Sequence, residues 1–186
     1  REAYQCAVVT TDFRTFAKLD ANPLISGPPA GYTAHLRDPY VVPDRDGFAM
    51  YLGAQRADNT GCILVYRGED LVDWRLAGGV AGPDDPHAAF GFMGGAPTRL
   101  RLPDADPGEE SDILILCPQG IDSRGDEFRN IFACGYLVGH LDGPTFTPTG
   151  EFTELDSGFE FYAPQVFTVA PGEPEQPPLL VGWLGN

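Results

Sequence analysis

One short pattern constrains the fold of this chain more than any other feature. A proline behind a small or acidic residue leads a strand-like run at three places: Asp38-Pro39-Tyr40-Val41-Val42, Ala96-Pro97-Thr98-Arg99-Leu100 and Ala163-Pro164-Gln165-Val166-Phe167. Successive copies lie roughly 60 to 70 residues apart. A second pattern precedes each copy, an acidic residue with an aromatic four positions on: Asp12 with Phe16, Asp70 with Trp74, and Asp142 with Phe146. The two patterns advance nearly in step along the chain.

Between them lie short runs of strand type, among them CILVYRG, DILILCPQG and LLVGWLG. Helical periodicity is nearly absent, and 23 glycines and 18 prolines punctuate the chain every few residues. Short strands with frequent turns build a sandwich, a barrel or a propeller. The recurrence favours the propeller. A unit of this length holds about four strands with generous loops, which is one blade, and a sandwich has no reason to repeat three times. Proline suits the first position of a strand, where no ladder donor is needed. The innermost strands are therefore expected to start near Asp38, Ala96 and Ala163 and to look into one shared funnel.

The bulk chemistry narrows the partners. A chain of 186 residues can bury one sizeable core. A net charge of −15 repels phosphate backbones and acidic bilayers, so neither nucleic acid nor a membrane is expected. No apolar run reaches the about 18 residues of a membrane span, and no secretory signal pattern opens the chain. It begins on Arg1 rather than Met, which weakens any argument about targeting. Cys6, Cys62, Cys117 and Cys134 have wide spacing and read as buried free thiols, which points weakly to the cytoplasm. His35, His87 and His140 are scattered, so no metal site and no cofactor is expected.

Several segments, in order, resemble glycoside hydrolase family 32, the β-fructofuranosidases, which include invertases and sucrose-6-phosphate hydrolases. HLRDPYV resembles the family's Arg-Asp-Pro block and GEDLVDW its SxDLxxW turn. ILILCPQG is similar to the strand ending in SPQG, LDSGFEFYAPQVF to LDxGxDFYAPQxF, and LLVGWLGN to xxIGWMGN. These segments run from about Tyr4 to Asn186. The resemblance implies an all-β chain of the five-bladed β-propeller type, present as roughly three blades in one partial domain over residues 1–186, without the C-terminal sandwich. It implies a bacterial protein. It also implies retaining cleavage of terminal β-fructosyl bonds in sucrose, sucrose 6-phosphate or short fructans, by two carboxyl groups roughly 5 Å apart. Asp38 then stabilises the transition state through fructose hydroxyls, with Arg37 orienting it by a charge-assisted pair. Glu160 and Tyr162 become sugar-contacting candidates.

Two departures qualify this picture. The family's nucleophile lies in an N-terminal NDPNG block that nothing here carries, and Arg1 to Leu19 resemble strands that follow it. The family's acid/base glutamate lies in a W-E-C-P block, where this chain reads Met93-Gly94-Gly95-Ala96-Pro97 and so places Gly95 at the glutamate position. Asp84 and Asp85 lie about ten residues upstream on an expected loop and are poor substitutes. Three readings follow: a fragment or degenerate member of the β-fructosidases, a non-catalytic carbohydrate-binding propeller, and a protein-interaction scaffold. An open set of blades leaves strand edges free for self-association. Arg99 and Arg101 alternate along one strand and are expected on a solvent face.

Overall fold

The structure is a computed structural model that describes residues 2–80, 90–104, 106, 108–130, 133–158, 160–168 and 177–185. Among the described residues all regular structure is strand. A short antiparallel pair comes first, β1 (Val8–Val9) and β2 (Ala17–Lys18). Then β3 (Tyr32–Asp44), β4 (Gly47–Arg56), β5 (Gly61–Gly68) and β6 (Arg75–Val80) form an antiparallel meander, each pairing with the next. The motif repeats as β7 (Met93–Pro103), β8 (Glu110–Gln119), β9 (Gly135–Asp142) and β10 (Thr145–Pro148), with β11 (Thr153–Glu154) also on β9. A third sheet holds β12 (Phe161–Phe167) and β13 (Leu179–Leu184).

The sheets stack face to face. β7 lies against β3 and β4, and β12 lies against β7 and β8. This stacking explains why the central strands read as continuous apolar runs rather than alternating ones. Ala49, Tyr51, Ile63 and Val65 face the second sheet and pack with Leu114, Leu116, Leu137 and Phe146. Their neighbours Met50, Leu52, Ala54, Cys62 and Leu64 face the other way, toward Ile25 and Leu36. Where the two four-stranded meanders meet, a Cβ on Gly53 would lie 2.2 Å from the Gly94 carbonyl oxygen, so only glycine fits.

The threefold proline pattern has a backbone cause that differs from the sequence expectation. The prolines do not open their strands. Each sits inside one, behind a residue at positive φ: Asp38 at 59°, Ala96 at 46° and Ala163 at 46°. The ladder slips there each time, between Arg37 and Tyr40, Gly95 and Thr98, and Tyr162 and Gln165. The three copies are thus β-bulges on edge strands, a setting that tolerates a missing N–H. A left-handed L-residue costs about 1–2 kcal/mol, and such strain gathers where a site is built.

The acidic-aromatic pattern holds for two copies. Asp12 Oδ1 accepts the Arg14 and Thr15 amides at 2.9 and 2.8 Å, and Asp70 Oδ1 accepts those of Val72 and Asp73, both at 2.8 Å. These are Asx turns; the Thr15 and Arg14 amides hold Asp12 at a pKa of about 2. Asp142 instead pairs with Thr145 across the Gly143-Pro144 turn.

Two further expectations change. Cys62, Cys117 and Cys134 are buried free thiols, but Cys6 is exposed. Arg99 and Arg101 do share a face, and Arg101 keeps 48% of its side-chain surface exposed, but the face is not plain solvent surface: both side chains converge on Asp112, which is 3% exposed. Asp84, Asp85 and His87 lie outside the described residues.

Candidate active site

The bulge at Asp38 aims its carboxylate across the seam between the first two sheets. Oδ2 accepts the N–H of Ala96, the left-handed residue of the next inner strand, at 3.1 Å and lies 3.8 Å from Arg37 Nε. Adjacent side chains of a regular strand point to opposite faces; the bulge lets Arg37 and Asp38 serve one site. Arg37 is held further out as well. Its Nη1 donates to His35 Nδ1 at 3.0 Å, which leaves the ring proton on Nε2, and its Nη2 donates to Gln119 Oε1 at 3.2 Å. Gln119 Nε2 reaches the Tyr162 hydroxyl at a long 3.5 Å. One polar chain therefore joins β3, β8 and β12, one strand from each sheet.

Asp38 and Arg37 keep 43% and 38% of their side-chain surface exposed, enough for a ligand to reach them. Asp38 Oδ1 has no partner among the described residues. A carboxylate with one oxygen held by an amide and the other open is an acceptor for ligand hydroxyls. Burial raises the Tyr162 pKa above its ordinary value, so the phenol is neutral near pH 7; the Gln119 hydrogen bond and Arg37 oppose that shift, and Cys117 and Asp38 add to it.

Gly95 borders this group. A Cβ built on it would lie 3.7 Å from Asp38 Oδ2 and 3.1 Å from the Cys117 carbonyl oxygen. Position 95 thus looks onto Asp38, and glycine offers no proton there. Glu160 is exposed just before β12 and makes no side-chain hydrogen bond or ion pair among the described residues. No second carboxylate shares a hydrogen bond with Asp38, Arg37, Gln119 or Tyr162 among the described residues. Beneath the site the Cys117 and Cys134 thiols hydrogen-bond each other; this bond lowers the Cys117 pKa and raises that of Cys134. Cys117 also accepts the N–H of Ala163, much as Asp38 accepts that of Ala96.

The sequence reading grouped Asp38 with Arg37, Glu160 and Tyr162; the polar chain includes Arg37 and Tyr162, while Glu160 makes no side-chain contact with it among the described residues. That reading missed the side chains of Gln119 and His35, although both lie in the quoted segments ILILCPQG and HLRDPYV. Nothing local in those segments marks either side chain as a partner for Arg37.

Stacked four-stranded meanders whose inner strands share a seam define a β-propeller scaffold, and the comparisons with known proteins agree on the fold. The chain belongs to glycosyl hydrolase family 32: residues 1–186 match the model of the Glycosyl hydrolases family 32 N-terminal domain. Among curated proteins it is 42% identical over 164 residues to the sucrose-6-phosphate hydrolase of Staphylococcus xylosus, covering 87% of this chain and 30% of that protein. It is 37% identical over 187 residues to that of Klebsiella pneumoniae, covering 100% of this chain and 37% of that protein. It therefore spans about a third of the length of these curated relatives. Among solved structures it resembles the Bombyx mori GH32 beta-fructofuranosidase BmSUC1, with TM-score 0.81, 29% identity and coverage of 97% of this chain and 36% of that one. The sucrose-6-phosphate hydrolase of Lactobacillus gasseri gives TM-score 0.79 at 28% identity, over 98% and 36% of the two chains. The chain is all-β, of the five-bladed propeller type, and covers part of that ring with open sheets.

Proposed function

We propose that this chain carries the fructosyl-holding part of a retaining β-fructosidase site, in a fragment or degenerate member of the family. Asp38 is the transition-state stabiliser, and Arg37 and Tyr162 hold the sugar beside it; Glu160 is a further sugar contact reached from the strand entry. The substrates are terminal β-fructosyl bonds in sucrose, sucrose 6-phosphate or short fructans, in line with the names of the relatives. The observation that carries this reading is the Asp38 carboxylate, held by the Ala96 amide with Arg37 Nε 3.8 Å away and one oxygen open. Four free thiols suit the reducing cytoplasm of a bacterium.

Gly95 favours a second reading, a propeller that binds sugar without cutting it. A retaining mechanism needs an acid to protonate the leaving oxygen, and position 95 supplies none. We also propose self-association through the open sheets, where Phe167, Leu179 and Trp183 at one end and Val9, Phe13 and Phe16 at the other are exposed.

Fructose release from sucrose, measured beside sucrose binding, tests these readings. The expected result is no release, and binding that Asp38→Asn weakens by roughly tenfold or more, the loss of one charged hydrogen bond. Release by the parent chain would overturn the argument from Gly95. Absence of sugar binding would overturn both readings.

A further inference from the structure

Adjacency in the chain does not by itself hold Arg37 beside Asp38. Its Nε lies 3.8 Å from Asp38 Oδ2, beyond an ordinary hydrogen bond, and 38% of its side-chain surface is exposed. A long exposed side chain keeps its rotamer freedom unless other groups fix it. Two anchors do so here. His35 Nδ1 bonds Nη1 at 3.0 Å, but His35 is two residues away on the same strand β3, so this bond ties Arg37 only to its own sheet. Gln119 Oε1 accepts from Nη2 at 3.2 Å and stands on β8 of the second sheet, 82 residues away. Together the two bonds engage both prongs of the guanidinium fork, fix its plane and leave Nε on the side of Asp38.

Gln119 is itself a fixed point. It ends β8, paired with Met93. Its carbonyl oxygen accepts the Phe92 amide at 2.8 Å. The chain passes so close there that a Cβ on Gly91 would lie 2.0 Å from the same oxygen. The side-chain amide can face only one way. Arginine offers no acceptor, so Oε1 meets Nη2 and Nε2 is turned toward the Tyr162 hydroxyl, 3.5 Å away.

We propose that Gln119 is the positioning residue of the sugar site. It holds the Arg37 guanidinium against Asp38 from across the seam between the sheets, and through Arg37 it sets the affinity for a β-fructosyl ligand. This role rests on the sugar-holding reading of the Asp38 group.

The test pairs two variants of the purified chain with two measurements. Gln119→Met keeps the length of the side chain and removes both polar contacts. Gln119→Glu keeps an acceptor for Arg37. Arginine side-chain NMR, with the Arg37 signals assigned by their loss in Arg37→Lys, reads the hold on the guanidinium directly. Calorimetric titration with sucrose reads the affinity. Separate Nη signals from a slowly rotating Arg37 are expected in the parent and in Gln119→Glu, and averaged signals in Gln119→Met. Gln119→Met should bind sucrose roughly tenfold more weakly, the loss of one charge-assisted hydrogen bond, and Gln119→Glu should recover most of that loss. A merely structural role would lower the urea midpoint without this rescue. The proposal is overturned if Arg37 already rotates freely in the parent, if its signals are the same in Gln119→Met, or if Gln119→Glu releases it as well. It is also overturned if Gln119→Met frees Arg37 and sucrose still binds as to the parent. A parent that binds no sucrose overturns the sugar-holding reading and the affinity half of this role with it, while the Arg37 signals still decide whether Gln119 holds the guanidinium.

Discussion

Asp112 offers the sharpest test of how the second sheet is held. Its carboxylate is 3% exposed and accepts Arg99 Nε at 3.1 Å, Arg101 Nε at 3.3 Å and the Leu141 amide at 2.8 Å. Removing one partner of a buried ion pair costs about 3–5 kcal/mol, because the other charge is left uncompensated. Here Arg99 keeps 18% exposure and Arg101 48%, so water recovers part of that loss. Asp112→Ala is therefore expected near the lower bound, about 3 kcal/mol, and the isosteric Asp112→Asn at about 2 kcal/mol. Both are large beside a net stability of about 5–15 kcal/mol. The pH dependence has a definite sign. Burial pushes the Asp112 pKa up, but the donors from Arg99, Leu141 and Arg101 outweigh it and the net shift is downward. The ionised carboxylate thus stabilises the fold fully above its unfolded pKa of about 4, and that stability is lost as pH falls through the lower folded value. Urea unfolding followed by tryptophan fluorescence should show a constant gap between parent and Asp112→Asn from neutrality down to about pH 5, closing as pH drops below about 4. A gap that is absent at neutral pH, or that persists undiminished in acid, would refute the reasoning.

Three other outcomes follow from the packing. Leu116 is fully buried between the first two sheets, so Leu116→Ala should cost about 2–5 kcal/mol in the same urea assay; a cost below about 1 kcal/mol would mean that the sheets do not close over it. Thiol titration of the native chain should give one fast cysteine, Cys6, with Cys62, Cys117 and Cys134 reacting on unfolding. Rapid reaction of Cys117 or Cys134 would contradict their burial. Light scattering after size exclusion should show association through the apolar strands at the two open ends; a monodisperse monomer across the micromolar range would count against it.

The all-β character was legible in the sequence because it rests on local chemistry: turn residues every few positions and apolar runs too short for helices. The blade repeat was legible because a proline recurs at each bulge, where an edge strand tolerates its missing N–H. Its form was not: Pro39, Pro97 and Pro164 marked the place, but the positive φ of the residue before each depends on how the ladder slips against the neighbouring strand. Arg37 and Asp38 could be paired from sequence since they are adjacent. Gln119 lies 82 residues from Arg37 and 43 from Tyr162, and only the stacking of three sheets brings them together. Alternation placed Arg99 and Arg101 on one face, yet nothing local showed that both would converge on the buried Asp112. Local sequence determined which segments became strands and where they kinked. Tertiary stacking decided which polar groups met, because a hydrogen bond acts over about 3 Å while the residues that make it are separated by whole blades of chain.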